Sequence, residues 1–303
     1  VPADSNGFAR VTCLQTLPIQ GALRSLKITR LIDGPIITPS SDASIGENIQ
    51  GPSLIRVPDW IESPLGRYYL YFADHKGSYI RLAYANELSG PWKIYTPGSL
   101  HLSESHFPTE APEVPPGAIE AIRKTAKKEH FDLDTLLHDP ITELTTPHIA
   151  SPDVIVDEER QRLTMYFHGL EGFARQVSRV ATSSDGIHFE ALPEIIGTGI
   201  KGGMGKTYLR AFFDSGKTYA MAMPGQFYRS DDGLTGWEAG PRLFEPDMRH
   251  SALLLKGRCL HVFWTRVGDA PERILHSTLD LSSDWMNWKK NFRTNGFTKP
   301  GQY

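Results

Sequence analysis

One pattern of short strands occurs four times in this chain of 303 residues. Each copy has an apolar strand, a turn, a second strand rich in Tyr, Phe, Met or Trp, a polar loop, a third strand and a closing aromatic residue. The closing aromatic residues are Trp92, Phe189, Trp237 and Trp288. The last three recur about every 50 residues, and a repeat of about that length with several short strands is typical of the blades of a β-propeller.

This repeat predicts an all-β fold, a five-bladed β-propeller that forms a single domain over residues 1–303. Four blades are visible in the repeats, and we assign the fifth to a segment that includes Arg24 to Ile32. Joining strands from the N-terminus to the far end of the chain would close the ring, because closure removes exposed sheet edges. A short insertion, residues 104–146, separates the first two recognisable blades. We expect it to be partly helical, since a helical period follows Pro115-Pro116-Gly117.

Charge and cysteine content limit the partners of the chain. With 32 basic and 35 acidic residues the formal net charge is -3, so we expect neither a nucleic acid nor a membrane as partner. Cys13 and Cys259 are too few for a disulfide scaffold or a metal site, and they are either two buried thiols or one bridge. We expect no cofactor and no metal, and a secreted or periplasmic location with a cytoplasmic one as the alternative. The oligomeric state stays open.

Propeller geometry predicts where a site should lie. The starts of the innermost strands and the loops between the second and third strands share one face of the disc. In this sequence those positions collect many polar and ionisable side chains, which converge on a central funnel, the usual place for a binding site. Blade by blade they are Asn48, Gln50, Asp74, His75 and Lys76; His148, Ser151, Asp153, His168 and Glu171; Lys206, Tyr208 and Arg210; and Arg249, His250, Arg266, Asp269, Glu272 and Arg273.

Several blade segments carry a family resemblance: Gly51-Pro52-Ser53-Leu54-Ile55, Tyr68 to His75, Gly90-Pro91-Trp92 and Ser151-Pro152-Asp153. With these segments the chain resembles the five-bladed propeller glycosidase superfamily, which includes glycoside hydrolase families 43, 32, 62, 68, 117 and 130. The resemblance implies a carbohydrate-active enzyme, a glycoside hydrolase that binds an oligosaccharide or polysaccharide in the funnel. It covers about residues 34–288, and its blade features are more specific to the fold than to the chemistry.

The acids that this resemblance would imply are absent from their usual positions. Members of the superfamily often place Asp directly before a proline at the start of an innermost strand, but here those residues are Gly51 and Ser151. Glycoside hydrolysis needs two carboxyl groups, one protonated and one ionised. We assign Asp153 and Glu272 to these roles, with Asp74 as the third choice. Which of them is the acid stays open.

The basic groups of the funnel point to an anionic sugar, either a uronate or a sulfated sugar. We expect substrate contacts from Asn48, Gln50, His75, Lys76, His148, His168, Arg210, Arg249 and Arg266. A polysaccharide lyase is the first alternative: Arg would neutralise the uronate carboxylate, while Tyr208 and either His250 or His148 would act as base and acid. A non-catalytic propeller that binds sugar is the second alternative.

Overall fold

The computed structural model describes residues 31–128, 139–201, 204 and 208–294. These residues form four antiparallel sheets of four strands each, paired in chain order. Blade 1 consists of β1 (Gln50–Arg56), β2 (Tyr68–Ala73), β3 (Tyr79–Ala85) and β4 (Lys93–His101). Blade 2 consists of β5 (Ile149–Asp157), β6 (Arg162–Gly172), β7 (Arg175–Ser183) and β8 (Glu190–Ala191). Blade 3 consists of β9 (Arg210–Asp214), β10 (Lys217–Ala222), β11 (Gln226–Ser230) and β12 (Glu238–Arg242), and blade 4 of β13 (Met248–Lys256), β14 (Cys259–Arg266), β15 (Leu275–Asp280) and β16 (Lys290–Thr294).

Three of the four closing aromatic residues, Phe189, Trp237 and Trp288, pack between neighbouring blades. The ring of each lies against a tyrosine of the preceding blade, and these edge-on or tilted contacts add to the burial of both rings. They join Phe189 to Tyr71, Trp237 to Tyr166 and Trp288 to Tyr219, with ring centroids 5.7, 5.9 and 4.9 Å apart. The innermost strands lie side by side in the order β1, β5, β9 and β13. The propeller class predicted from the sequence is therefore confirmed.

The described residues contain four blades, one fewer than the five that the sequence predicts. Of the segment assigned to a fifth blade, Arg24 to Arg30 lies outside the described residues, while Leu31 and Ile32 form bends and no strand. Cys13 also lies outside the described residues, so the structure does not test its bridge to Cys259.

The described part of the insertion between blades 1 and 2 carries two helices, α1 (Ala118–Lys128) and α2 (Pro140–Thr145). Helix α1 begins directly after Gly117, where the sequence predicts a helix start. The Asp139 carboxylate accepts hydrogen bonds from the backbone N–H groups of Ile141 and Thr142 and so caps α2. Short 3-10 turns occur at Pro39–Ser41, Ala43–Ile45, Leu102–Glu104 and Trp285–Asn287. Among the residues described, no helix has the length and apolar content to cross a membrane.

The innermost strands begin with irregular turns that matter for the site. The pairing register shifts at the start of β1, β5 and β13. Gly51, Ser151 and Tyr208 stand at or just before strand starts with φ of 64°, 51° and 55°, a left-handed conformation that is uncommon for residues other than glycine. Such bulges redirect side chains and are common next to functional sites. Here they occur where the sequence predicts the funnel.

Candidate active site

Four aromatic rings form a continuous row across blades 2 to 4. His148 lies beside His168, His168 beside Tyr208, and Tyr208 beside His250, with centroids 6.0, 5.9 and 4.5 Å apart. All three contacts are edge-to-face, with interplanar angles of 82°, 72° and 89°. The sequence predicts each of these residues as a site residue, but it does not predict the row. The starts of β5, β9 and β13 and the second strand of blade 2, β6, bring the rings together.

One end of the row is buried. His148 is 1% exposed and His168 is 5% exposed. The Nδ1 of His148 lies 2.7 Å from the Thr146 carbonyl oxygen, so this nitrogen donates its hydrogen and Nε2 carries the lone pair. Burial is the main cause that lowers the pKa of His148 to about 4 and that of His168 to about 3, and nearby basic groups lower both further. Both rings are therefore neutral near pH 7.

The other end of the row is open to solvent. The His250 side chain is 38% exposed, and its Nδ1 lies 3.7 Å from a carboxylate oxygen of Glu272, whose side chain is 48% exposed. The Thr265 hydroxyl lies 3.5 Å from the same Nδ1. Burial and then the Arg249 charge lower the pKa of His250, while Glu272 opposes them. His250 is thus a neutral imidazole near pH 7 whose Nδ1 faces an acid, which leaves Nε2 for a proton from a ligand.

Asp153 is buried between blades, with both carboxylate oxygens occupied. One accepts the Ala211 backbone N–H at 2.7 Å, and the other lies 3.2 Å from the Arg210 guanidinium. Arg210 in turn donates to the Ser251 carbonyl of blade 4 at 3.0 Å. Ser53, at the same strand position in blade 1, accepts the Val154 N–H of blade 2 at 2.9 Å. This position therefore links β1 to β5 through Ser53 and β5 to β9 through Asp153.

Burial also affects the proton affinity of Asp153. It raises the pKa of this carboxyl, although the Arg210 charge and the hydrogen bonds oppose the increase. Asp153 and Arg210 both line a cavity of about 670 Å³ at the centre of the blades. A second cavity, of about 400 Å³, is lined by Tyr208, Arg210 and His250. Gln50 and Arg210 border both cavities.

Most other predicted acids and two predicted arginines form pairs within their own blades. The Asp74 carboxylate accepts the Lys76 backbone N–H at 3.1 Å and lies 3.5 Å from Arg81. The remaining pairs are Glu171 with Arg179 at 3.0 Å, Asp269 with Arg273 at 3.4 Å, and Asp247 with Arg266 at 3.0 Å. These pairs lie in rim loops, and Glu272 is the predicted acid, within the described residues, whose carboxylate lies within ion-pair distance of a ring nitrogen of the row. Asn48 accepts a hydrogen bond from the Gln50 amide at 3.2 Å, and Lys206 lies outside the described residues.

Sequence reasoning missed one acid, Glu143 of the insertion. Its carboxylate lies 3.5 Å from the Lys76 ammonium and 3.9 Å from His75. Lys76 also donates to the Glu143 backbone carbonyl at 2.9 Å. The sequence offered one indication of this contact. The insertion ends just before His148, so its last residues must approach the same face of the propeller.

Close packing explains why no acid precedes the proline of β1. A Cβ added to Gly51 would lie 2.9 Å from the Cα of Ser151 in the next blade. Real Cβ atoms do not approach backbone so closely, and the φ of 64° at Gly51 also disfavours a side chain. An aspartate at this position would therefore push blades 1 and 2 apart.

Comparison with known proteins finds one relative in sequence and several solved structures of similar fold. No protein-family model matches the chain. The uncharacterized protein R118 of Acanthamoeba polyphaga mimivirus is 28% identical over 270 residues, which cover 81% of this chain and 66% of that protein. The chain thus spans about two thirds of the length of this relative.

Three solved structures are similar in fold. A GH43 β-xylosidase/α-arabinofuranosidase from a compost metagenome, in complex with xylotriose, has a TM-score of 0.52 and 13% identity over 85% of this chain and 79% of its own. An endo-1,4-β-xylanase of Bacteroides thetaiotaomicron has a TM-score of 0.50 and 12% identity over 82% and 73%. An exo-β-1,3-galactanase of Clostridium thermocellum has a TM-score of 0.50 and 14% identity over 80% and 48%. At these identities the similarity establishes the propeller fold, whose neighbours are glycoside hydrolases.

Proposed function

We propose that the protein is a carbohydrate-active enzyme that cleaves a glycosidic bond next to a uronate sugar, and that it does so by elimination. The observation that carries this proposal is the contact between Tyr208 and His250 at the open end of the ring row, with ring centroids 4.5 Å apart. A tyrosine and a neutral imidazole whose rings are in contact can supply the acid and the base for the two proton transfers that elimination requires. The fold shared with glycoside hydrolases supports a glycan as the substrate.

The chemistry assigns one role to each group. The Nε2 of His250 removes the C5 proton of the uronate, the C4–O4 bond breaks, and a double bond forms between C4 and C5. The Tyr208 hydroxyl protonates the leaving O4, and the proton on His250 later restores the hydroxyl. Glu272 and Thr265 are positioning residues, because they face Nδ1 of His250 at 3.7 and 3.5 Å and so orient the ring.

The charges of the funnel favour an anionic substrate. Lys76 is paired with Glu143, and Arg210 with Asp153. Arg249 is exposed and, among the residues that the structure describes, forms no ion pair. Its charge lowers the pKa of both His250 and His75, so it acts on the open end of the row. A guanidinium there would bind the uronate carboxylate and stabilise the negative charge that develops when C5 loses its proton.

Hydrolysis by Asp153 and Glu272 is the second candidate. The raised pKa of Asp153 and its place in the larger cavity favour it, since a general acid must hold a proton near neutral pH. Against it, both oxygens of Asp153 are engaged by Arg210 and Ala211. Elimination by Tyr208 and His250 does not require the contacts of Asp153 with Arg210 and Ala211 to break.

Product analysis tests the proposal. The wild-type protein and the variants Tyr208→Phe and Tyr95→Phe are incubated with uronate-containing oligosaccharides, and ultraviolet absorbance of an unsaturated product is recorded together with new reducing ends. Tyr95 is the matched control because it lies on β4, the outer strand of blade 1. We expect both signals from the wild type and Tyr95→Phe, and neither from Tyr208→Phe. Reducing ends without absorbance would establish hydrolysis, and binding without turnover would establish a sugar-binding propeller.

A further inference from the structure

We infer that Glu143, which the insertion supplies, is a specificity-determining residue that sets the charge presented to an anionic ligand by the blade 1 side of the funnel. The inference rests on the proposed function, because it concerns the ligand of the same funnel. It assigns the insertion a role at the site, and it concerns a residue that belongs to none of the blades.

Glu143 contacts the two basic residues of the β2–β3 loop. Its carboxylate is 3.5 Å from Lys76 and 3.9 Å from His75, and Lys76 donates to its backbone carbonyl at 2.9 Å. The side chains of Lys76 and Glu143 are 17% and 32% exposed. Charges that are partly shielded from bulk water change the local potential, and because Glu143 still meets solvent, added salt screens part of this effect.

Helix α2 holds Glu143 in this position. Asp139 caps the helix at its start, and the Leu144 carbonyl accepts the Ala174 N–H of blade 2 at 3.0 Å. Just after the helix, the Thr146 carbonyl accepts the hydrogen on Nδ1 of His148. The segment is therefore capped before Glu143 and anchored to blade 2 directly after it, while the carboxylate itself lies against the β2–β3 loop of blade 1.

The charge balance follows from the groups that face this loop. Lys76 and Glu143 together contribute no net charge, and Asp74 is paired with Arg81. The pKa of His75 is lowered by burial and by Lys76, raised by Glu143 and Asp74, and lowered again by Arg249. Removing the Glu143 carboxylate would leave the Lys76 charge without its partner. The blade 1 side of the funnel would then attract an anionic sugar more strongly than in the wild type. Its attraction for a neutral sugar would not change.

The first test is kinetic. We expect Glu143→Gln to lower the KM for a uronate oligosaccharide about threefold at low salt, with the difference shrinking as salt is added. The KM or Kd for the carboxyl-reduced, neutral form of the same oligosaccharide should not change. Glu120→Gln is the matched control, because it removes one acid from helix α1 of the same insertion, where Glu120 pairs with Arg123. An unchanged or higher KM for the uronate in Glu143→Gln would overturn the inference.

A second measurement separates this inference from the proposed function. NMR titration of His75 needs no substrate, and we expect its pKa to fall in Glu143→Gln and to keep its wild-type value in Glu120→Gln. If the glycan is not cleaved but this shift is seen, the proposed reaction fails and the role of Glu143 in the charge of the funnel stands. If His75 titrates identically in all three proteins, the inference is wrong. Glu143→Asp, which keeps the charge, should give an intermediate shift and covers the case in which Glu143→Gln does not fold.

Discussion

The two ends of the ring row contain the same side chain in different surroundings. At the buried end His148 is 1% exposed, its Nδ1 is committed to a backbone carbonyl and its pKa is about 4. At the open end the His250 side chain is 38% exposed and faces Glu272. Desolvation keeps the buried imidazoles neutral and fixed, while the open one meets solvent, an acid and a hydroxyl. Under the proposed reaction, burial divides the row into a packing half, His148 and His168, and a reactive half, Tyr208 and His250.

Removal of the imidazole at the open end gives the largest expected effect. We expect His250→Ala to reduce turnover of a uronate oligosaccharide by about a thousandfold, as the loss of a general base does. The rate of appearance of the unsaturated product measures it. His188→Ala is the control, because His188 is an exposed histidine that pairs with Asp185 away from the row. If His250→Ala keeps wild-type turnover, the open end is not the reactive half.

The second largest expected effect is a loss of stability when Asp153, which links blade 2 to blade 3, is changed. We expect Asp153→Asn to lower the free energy of unfolding by about 3 kcal/mol, because it leaves the buried Arg210 charge without its partner. Chemical denaturation measures this, with Asp59→Asn as a control that removes the acid of an exposed pair with Arg56. Turnover per folded molecule should persist in Asp153→Asn. A fully folded but inactive variant would favour hydrolysis instead.

The buried end makes stability depend on pH. The pKa of His148 is about 4 and that of His168 about 3 in the folded protein, against 6.5 for an unperturbed histidine. Between pH 6.5 and pH 4 the unfolded chain therefore takes up protons that the folded protein does not. Stability should fall as the pH drops through this window, by about 1.4 kcal/mol per pH unit for each of the two imidazoles at most.

Denaturation at pH 7 and pH 5 checks this dependence. His168→Gln removes one of the two buried imidazoles, so its loss of stability between the two pH values should be smaller than that of the wild type. The control is Ser99→Ala, which changes a buried residue that gains no proton between these pH values, so its pH dependence should match the wild type. An unchanged pH dependence in His168→Gln would show that His168 does not differ in proton uptake between the folded and unfolded states.

The sequence predicted the features that repeat and missed those that depend on contacts between blades. The spacing of Phe189, Trp237 and Trp288 was enough for the propeller, since each ring packs on the preceding blade by the same rule. The ring row was not predictable, because neighbours in it come from different blades or from different strands of one blade. Glu143 was missed because the insertion follows no repeat.

Asp153 shows a further limit of sequence reasoning. An acid at the start of an innermost strand is a reasonable candidate for catalysis, and no pattern along the chain shows where its oxygens point. The structure shows them bound to Arg210 and to the Ala211 N–H. The role of the same position in blade 1, where Ser53 binds the Val154 N–H, becomes visible only when the blades are placed side by side.

Kinetic isotope substitution at C5 of the uronate tests the central claim most directly. In elimination by His250 and Tyr208 the C5–H bond breaks, whereas in hydrolysis by Asp153 and Glu272 it stays intact. The wild-type protein is given a uronate oligosaccharide with hydrogen or deuterium at C5, and the rates of formation of unsaturated product and of reducing ends are compared. We predict slower cleavage of the deuterated substrate and loss of the label to solvent. Equal rates, with the label retained in a saturated product, would contradict the account.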